Sequence, residues 1–172
     1  MPDPRPSLLR EALARADPAS PALLPRDAER EVFRVRVGGT TFAVEAGLIQ
    51  EVVRVPPITP LPGAPPFLVG VAAHRGDVVA IVDIARLIGR GETRVGERSR
   101  MALSRSDGMT VALLAEEILG LARIPTASVQ PPPLGTEDAE VIAGGSLGAE
   151  PMHLLDLRRA LATARERASV RR

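Results

Sequence analysis

The chain has 172 residues, of which 45% are hydrophobic, and its 22 basic and 21 acidic residues leave a net charge of +1. Cys and Lys do not occur and only three residues are aromatic, which excludes disulfides, thiolate catalysis and phosphate-binding lysines. A near-neutral chain without aromatic platforms is not expected to bind nucleic acid. No apolar run of about 18 residues exists to cross a membrane. This composition predicts a globular, cytoplasmic protein with an aliphatic core.

Residues 1–30 are predicted to be a Pro-rich N-terminal extension. Six prolines fall within the first 25 residues, and between them Ser7–Ala16 carries apolar residues at helical spacing. This pattern predicts a short helix that Ser7 can cap. Because so short a helix is marginal by itself, we expect it either to dock loosely or to pack on the domain or on a partner.

Beyond residue 30 the pattern changes to the two-residue period of β-strands. Gly76-Asp77 is expected to turn the central hairpin, and its second strand, Val78–Val82, is expected to be fully buried. Asp83 and Asp156 are each expected to cap a helix, Ile84–Ile88 and Leu157–Ala168. Strands are predicted over Val32–Val37, Thr40–Glu45, Leu48–Val55, Val69–Ala73, Val78–Val82, Ser99–Ser104, Met109–Ala115, Ile118–Ile124, Val141–Leu147 and Met152–Leu155.

The chain contains an internal repeat. Gly39–Val44 matches Gly108–Leu113 at an offset of 69 residues, and the segment after Asp83 matches the segment after Asp156. Two similar small barrels are predicted, roughly 31–90 and 99–155 with a terminal helix over 156–168, since closing short strands into a barrel removes their edges. The segment 74–77 has no counterpart in the second half and is therefore assigned to function rather than to the fold.

No catalytic constellation is recognisable. His74 and His153 stand in no hydrolase motif or metal-ligand spacing, so we predict no catalytic residue, no metal site and no cofactor. Arg75 at the hairpin turn is expected to form a bidentate pair with a carboxylate, either on a partner or on Glu51 of the same barrel. Aliphatic residues such as Ile49 and Val71 are expected to supply the contact area beside these charges.

The order of short motifs resembles the CheW-like domain of bacterial chemotaxis coupling proteins. The resemblance extends over residues 31–162. It rests on Phe42–Val44, Ile49–Val52, Ile58–Pro62, Phe67–Val71, Arg75-Gly76, Val82–Ile84, Val111–Ala115 and Ile118–Leu121. Arg75 and Gly76 match the second half of the family's Asn-Leu-Arg-Gly motif, whereas Ala73 and His74 replace its first two residues.

This resemblance implies a mostly β fold of two intertwined five-stranded SH3-like barrels over residues 31–168. It implies an adaptor rather than an enzyme. Such an adaptor couples a CheA-type histidine kinase, through its regulatory domain, to the cytoplasmic tips of methyl-accepting chemoreceptors in membrane-associated arrays, without inserting into the membrane itself. Carried over residue by residue, receptor contact falls on Glu51, Arg75 and Gly76, with the aliphatic Ile49 and Val71 expected beside them. Kinase contact falls on Val53, Val55 and Ile58.

Two alternatives stay open. The departure at Ala73-His74 and the N-terminal extension are compatible with an adaptor of another chemosensory-type system, for motility or development, that binds a kinase but no receptor. The groove between the barrels near His74 is also compatible with a module that binds a small ligand.

Overall fold

The computed structural model describes residues 28–106, 108–130, 141–147 and 150–169, so the predicted helix Ser7–Ala16 lies outside it. Ten strands and two α-helices follow one another in the order that the sequence predicts. The strands are β1 Glu29–Val37, β2 Thr40–Glu45, β3 Ile49–Arg54, β4 Leu68–His74, β5 Asp77–Asp83, β6 Arg100–Ser106, β7 Met109–Ala115, β8 Glu117–Pro125, β9 Val141–Leu147 and β10 Glu150–Leu155, and the helices are α1 Ile84–Leu87 and α2 Leu157–Ser169.

The strands form two five-stranded sheets that exchange strands between the halves of the repeat. The first sheet has the order β8-β1-β2-β10-β9 and the second has the order β3-β6-β7-β5-β4. Each sheet therefore combines two strands from one half with three from the other. The parallel pairs β2–β10 and β5–β7 occupy equivalent places. The predicted mostly β fold with two intertwined subdomains is confirmed, while the subdomain limits 31–90 and 99–155 stay predictions.

The second sheet closes on itself, and we call it the second barrel. Its edge strands are β3 and β4. Thr59, just beyond β3, donates its N–H to the Val71 carbonyl of β4 at 2.8 Å, and Val71 donates back to Thr59 at 2.9 Å. These two backbone bonds join the edges, which leaves fewer unpaired backbone groups exposed.

The largest core cluster lies where the two sheets and both helices meet. It includes Val35 and Phe42 from the first sheet, Val82 and Leu113 from the second, and Leu161 from α2. A separate cluster fills the second barrel, built from Val79, Ile81, Met101, Leu103 and Leu114. Alternate residues of β5 thus enter different cores, which explains the continuous apolar run in that strand.

Two local predictions for the central hairpin are wrong. The turn is Arg75-Gly76, with φ values of 51° and 89°, and Asp77 already pairs with His74 at the start of β5. A two-residue turn with positive φ at both positions matches the twist of a hairpin, which explains this register. Val78, predicted to be buried, has 73% of its surface exposed, because β5 begins beyond both cores.

Both predicted helix caps are confirmed. The Asp83 carboxylate accepts the backbone N–H of Ala85 at 2.9 Å, and Asp156 accepts that of Arg159 at 3.0 Å. Asp83 is only 1% exposed and also accepts the N–H and hydroxyl of Thr93, at 2.9 and 2.7 Å. The first cap therefore also anchors the long loop between the two halves of the chain.

Candidate functional site

The topology collects the unrepeated turn and the start of β3 at one end of the second barrel. Because β5 and β7 run parallel, the residues that precede both strands lie at the same end. Because β3 is antiparallel to β6, Ile49 lies opposite Ser104 near the end of β6, at that same end. We call this region the open end of the second barrel.

An ion cluster at the open end contains two of the residues predicted from sequence. Arg75 donates from Nη2 to Glu51 Oε1 at 2.8 Å, and His74 Nε2 lies 3.2 Å from Glu51 Oε2. His74 donates to this oxygen from Nε2, which carries a proton in the Nε2-protonated neutral tautomer and in the imidazolium. Each Glu51 oxygen thus has its own donor, and the pairing of Glu51 with Arg75 lies within one barrel.

The three side chains of this cluster differ in their exposure. His74 and Glu51 are 20% and 32% exposed, whereas Arg75 is 74% exposed. The guanidinium has five N–H donors, and the contact with Glu51 uses one of its nitrogens. The remaining N–H groups of the Arg75 guanidinium are therefore accessible to a carboxylate on another molecule, in the bidentate geometry that arginine favours.

A groove of about 670 Å³ opens beside the ion cluster. Its lining includes the polar residues Gln50, Glu51, His74 and Arg75 and, from the starts of β5 and β7, Val78, Ala80, Met109, Thr110 and Val111. Val78 and Met109 expose 73% and 52% of their surfaces. Neither residue was predicted as part of a site. Both lie within the first two residues of their strands, where neither core covers the strand. The contact of His74 with Glu51 was not predicted either.

The remaining predicted receptor-contact residues are placed differently. Ile49 is half-buried and packs against the core between the sheets. Val71 is also half-buried, and its backbone bonds to Thr59. Gly76 is exposed within the turn. The structure therefore brings together Glu51 and Arg75, while Ile49 and Val71 are not among the residues that line this groove.

The residues predicted to contact the kinase form a separate group. Val53, Val55 and Ile58 are half-buried and pack against the cluster inside the second barrel. Val55 lies four residues beyond Glu51, which is about 13 Å along an extended chain. None of the three lines the groove beside the ion cluster. Ile58 precedes Thr59, which pairs with Val71, so the two predicted contact groups meet at β4 although Val55 lies away from Glu51.

Comparison with known proteins identifies the family. The model of the CheW-like domain matches residues 31–165. Protein FrzA from Myxococcus xanthus is 39% identical over 147 residues, which cover 83% of this chain and 92% of FrzA. Chemotaxis protein CheW from Rhizobium meliloti is 29% identical over 111 residues, which cover 64% of this chain and 72% of that protein.

The fold is also that of a solved scaffold. The crystal structure of scaffolding protein TtCheW from Thermoanaerobacter tengcongensis matches with a TM-score of 0.71 at 20% identity, covering 77% of this chain and 92% of that one. Within the described ranges, no helix has the length and apolar character needed to span a membrane. The match to the family model and the identity to FrzA show that the chain belongs to the CheW-like domain family, and it is a non-catalytic adaptor of a chemosensory system.

Proposed function

We propose that this protein couples a CheA-type histidine kinase to the cytoplasmic tips of chemoreceptors, as a cytoplasmic adaptor recruited to receptor arrays at the membrane. In this proposal the receptor binds at the open end of the second barrel, where Arg75 engages a receptor carboxylate. The regulatory domain of the kinase binds the group formed by Val53, Val55 and Ile58. Two partners can then bind at the same time, because none of these three residues lines the groove beside Arg75.

The observation that carries the proposal is the contact of Arg75 with Glu51 at 2.8 Å beside an open groove. An exposed ion pair contributes only about 0–1 kcal/mol to stability, so the fold gains little from it. Arg75 is held in position by Glu51 while 74% of its side chain remains exposed. Such a preorganised cation favours specific recognition of an acidic group.

We further propose that the system controls motility or development rather than chemotaxis alone. The chain is 39% identical to FrzA but 29% identical to the Rhizobium meliloti chemotaxis protein. His74 supports this divergence, because it replaces a residue of the family's Asn-Leu-Arg-Gly motif and contacts Glu51 directly. A different set of receptors is the expected consequence.

The test measures dissociation constants of the full chain for two proteins from the same genome, the kinase regulatory domain and a soluble receptor cytoplasmic fragment. Arg75→Ala and Glu51→Ala are each expected to weaken receptor binding about tenfold or more, as for central interface residues, and to leave kinase binding within about twofold. Val55→Asp is expected to show the opposite pattern.

Arg123→Ala serves as the matched control, since Arg123 is as exposed as Arg75 and also pairs with a glutamate, Glu31 on the first sheet. If Arg75→Ala and Glu51→Ala both bound the receptor with wild-type affinity, the open end of the second barrel would not be the receptor site. Binding of the kinase without any receptor would make the protein a kinase-only adaptor. A chain that bound neither protein would overturn the proposed function as a whole.

A further inference from the structure

We infer that Val78 and Met109 form an apolar anchor for the receptor segment whose carboxylate Arg75 engages, an inference that rests on the proposed function. The anchor would receive one aliphatic side chain of that segment. The carboxylate would stand on the side of the anchor that faces the turn of the β4–β5 hairpin.

The two side chains are neighbours on adjacent strands. The register of these strands begins with Ala80 of β5 opposite Val111 of β7. Val78 and Met109 come two residues earlier in each strand, and both line the same groove. Both belong to the five large hydrophobic side chains that the described part of the chain exposes. Single exposed apolar residues are ordinary, but an adjacent pair on the wall of a groove is typical of a contact surface.

The anchor continues the interior of the protein. Side chains alternate along a strand, so Val82 shares a face of β5 with Val78, and Leu113 shares a face of β7 with Met109. Val82 and Leu113 are buried in the core between the sheets. An apolar stripe therefore runs from that core to the open end, and a partner side chain on Val78 and Met109 would extend it. The flexible thioether of Met109 suits contact with aliphatic groups of varied shape.

The charges beside the anchor limit which segment fits. Arg75 offers its accessible N–H donors on the same rim, whereas both oxygens of Glu51 are already engaged by His74 and Arg75. Asp77 also lines the groove and is exposed, so it disfavours a second carboxylate nearby. The surface therefore fits a segment with one aliphatic side chain and one acidic residue rather than a densely acidic peptide.

The experiment measures the binding of Val78→Ser, Met109→Ser and the double variant to the receptor fragment and to the kinase regulatory domain. Each single variant is expected to weaken receptor binding about tenfold, the loss typical of an interface anchor. Kinase binding should stay within about twofold, since the proposed kinase site is separate. Both residues are exposed, so the thermal midpoint of unfolding should not change. The methyl resonance of Met109 in the wild-type chain should shift when the receptor fragment is added.

Val95→Ser and Leu121→Ser are the matched controls, because these side chains are 58% and 55% exposed and lie outside the groove. If the wild type binds the receptor and the anchor variants lose no more than the controls, the inference is overturned and the proposed function stands. A loss confined to kinase binding would also overturn it. A wild-type chain that binds neither partner would reject the proposed function, and the anchor with it.

Discussion

At the scale of single residues, Gly70 shows how closely the second barrel is closed. A Cβ atom at this position would lie 2.3 Å from the Thr59 carbonyl oxygen and 2.8 Å from Ile58 Cγ2. No side chain can occupy that space without moving the backbone that pairs Thr59 with Val71. We expect Gly70→Ala to lower the free energy of unfolding by about 1–3 kcal/mol, as overpacking does, measured by urea denaturation.

Gly47→Ala is the control for Gly70→Ala. No heavy atom lies within 4 Å of a Cβ built on Gly47, and its φ is negative. This substitution should leave the free energy of unfolding within about 0.5 kcal/mol, or raise it slightly by restricting the unfolded chain. Equal stability of the two variants would show that the barrel closes less tightly at Gly70.

Glu51 is a residue whose contacts are expected to contribute little to stability. Its partners Arg75 and His74 reach it from the opposite edge of the barrel, but Arg75 is 74% exposed. Solvent screens such a pair, so Glu51→Ala is expected to lower the free energy of unfolding by less than about 1 kcal/mol. Urea denaturation of Glu51→Ala, Arg75→Ala and the double variant measures this coupling. A stability loss of several kcal/mol would mean that the cluster holds the barrel together.

At the scale of elements, Asp83 and Asp156 each cap a helix, and Asp83 additionally binds the loop that follows its helix. Asp156 caps α2 with one bond at the surface. Asp83 caps α1 and also binds Thr93 through two further hydrogen bonds, in a site that is 1% exposed. Removing the Asp83 carboxylate would leave the buried N–H groups of Ala85 and Thr93 without their acceptor, and each such group costs about 1–3 kcal/mol.

We therefore expect Asp83→Ala to cost about 3 kcal/mol or more of unfolding free energy and Asp156→Ala about 1 kcal/mol. Urea denaturation measures both. Amide hydrogen exchange at Thr93 should accelerate in Asp83→Ala, because the loop loses its anchor, and should stay unchanged in Asp156→Ala. Equal losses in the two variants would contradict the anchoring role of Asp83.

Strands whose limits are set by the local sequence pattern were predictable from the sequence, whereas the groove residues Val78 and Met109 and the contact of His74 with Glu51 were not. Alternating apolar residues located β2 and β7 to the residue, because each is bounded by a turn. Local pattern could not reveal that Val78 stays exposed, since exposure depends on where the sheets end. Likewise the contact of His74 with Glu51 depends on closure of the barrel, which joins residues 23 positions apart.

At the scale of the whole molecule, neither half of the chain contains a complete sheet. The strands of the first half are two hairpins, β1-β2 and β4-β5, plus β3, whose neighbour in its sheet is β6. The second half likewise holds the β6-β7 and β9-β10 hairpins plus β8, whose neighbour in its sheet is β1. Isolated two-stranded hairpins are at best marginally stable, so the fold requires both halves at once.

This exchange of strands predicts the behaviour of a chain divided between Gly96 and Glu97, two exposed residues of the connecting loop. Fragments 1–96 and 97–172 should each lack a cooperative thermal transition, because each would contain only hairpins and one unpaired strand. Mixed together, they should restore a single transition and the β-sheet circular dichroism of the intact protein. The intact chain with two glycines inserted at this point controls for damage to the loop, since longer surface loops cost little. In the second sheet β6 and β7 lie between β3 and β5, so fragment 1–96 lacks the strands that would join its own. A cooperative transition in this fragment alone would show that the first half folds independently and would contradict the prediction.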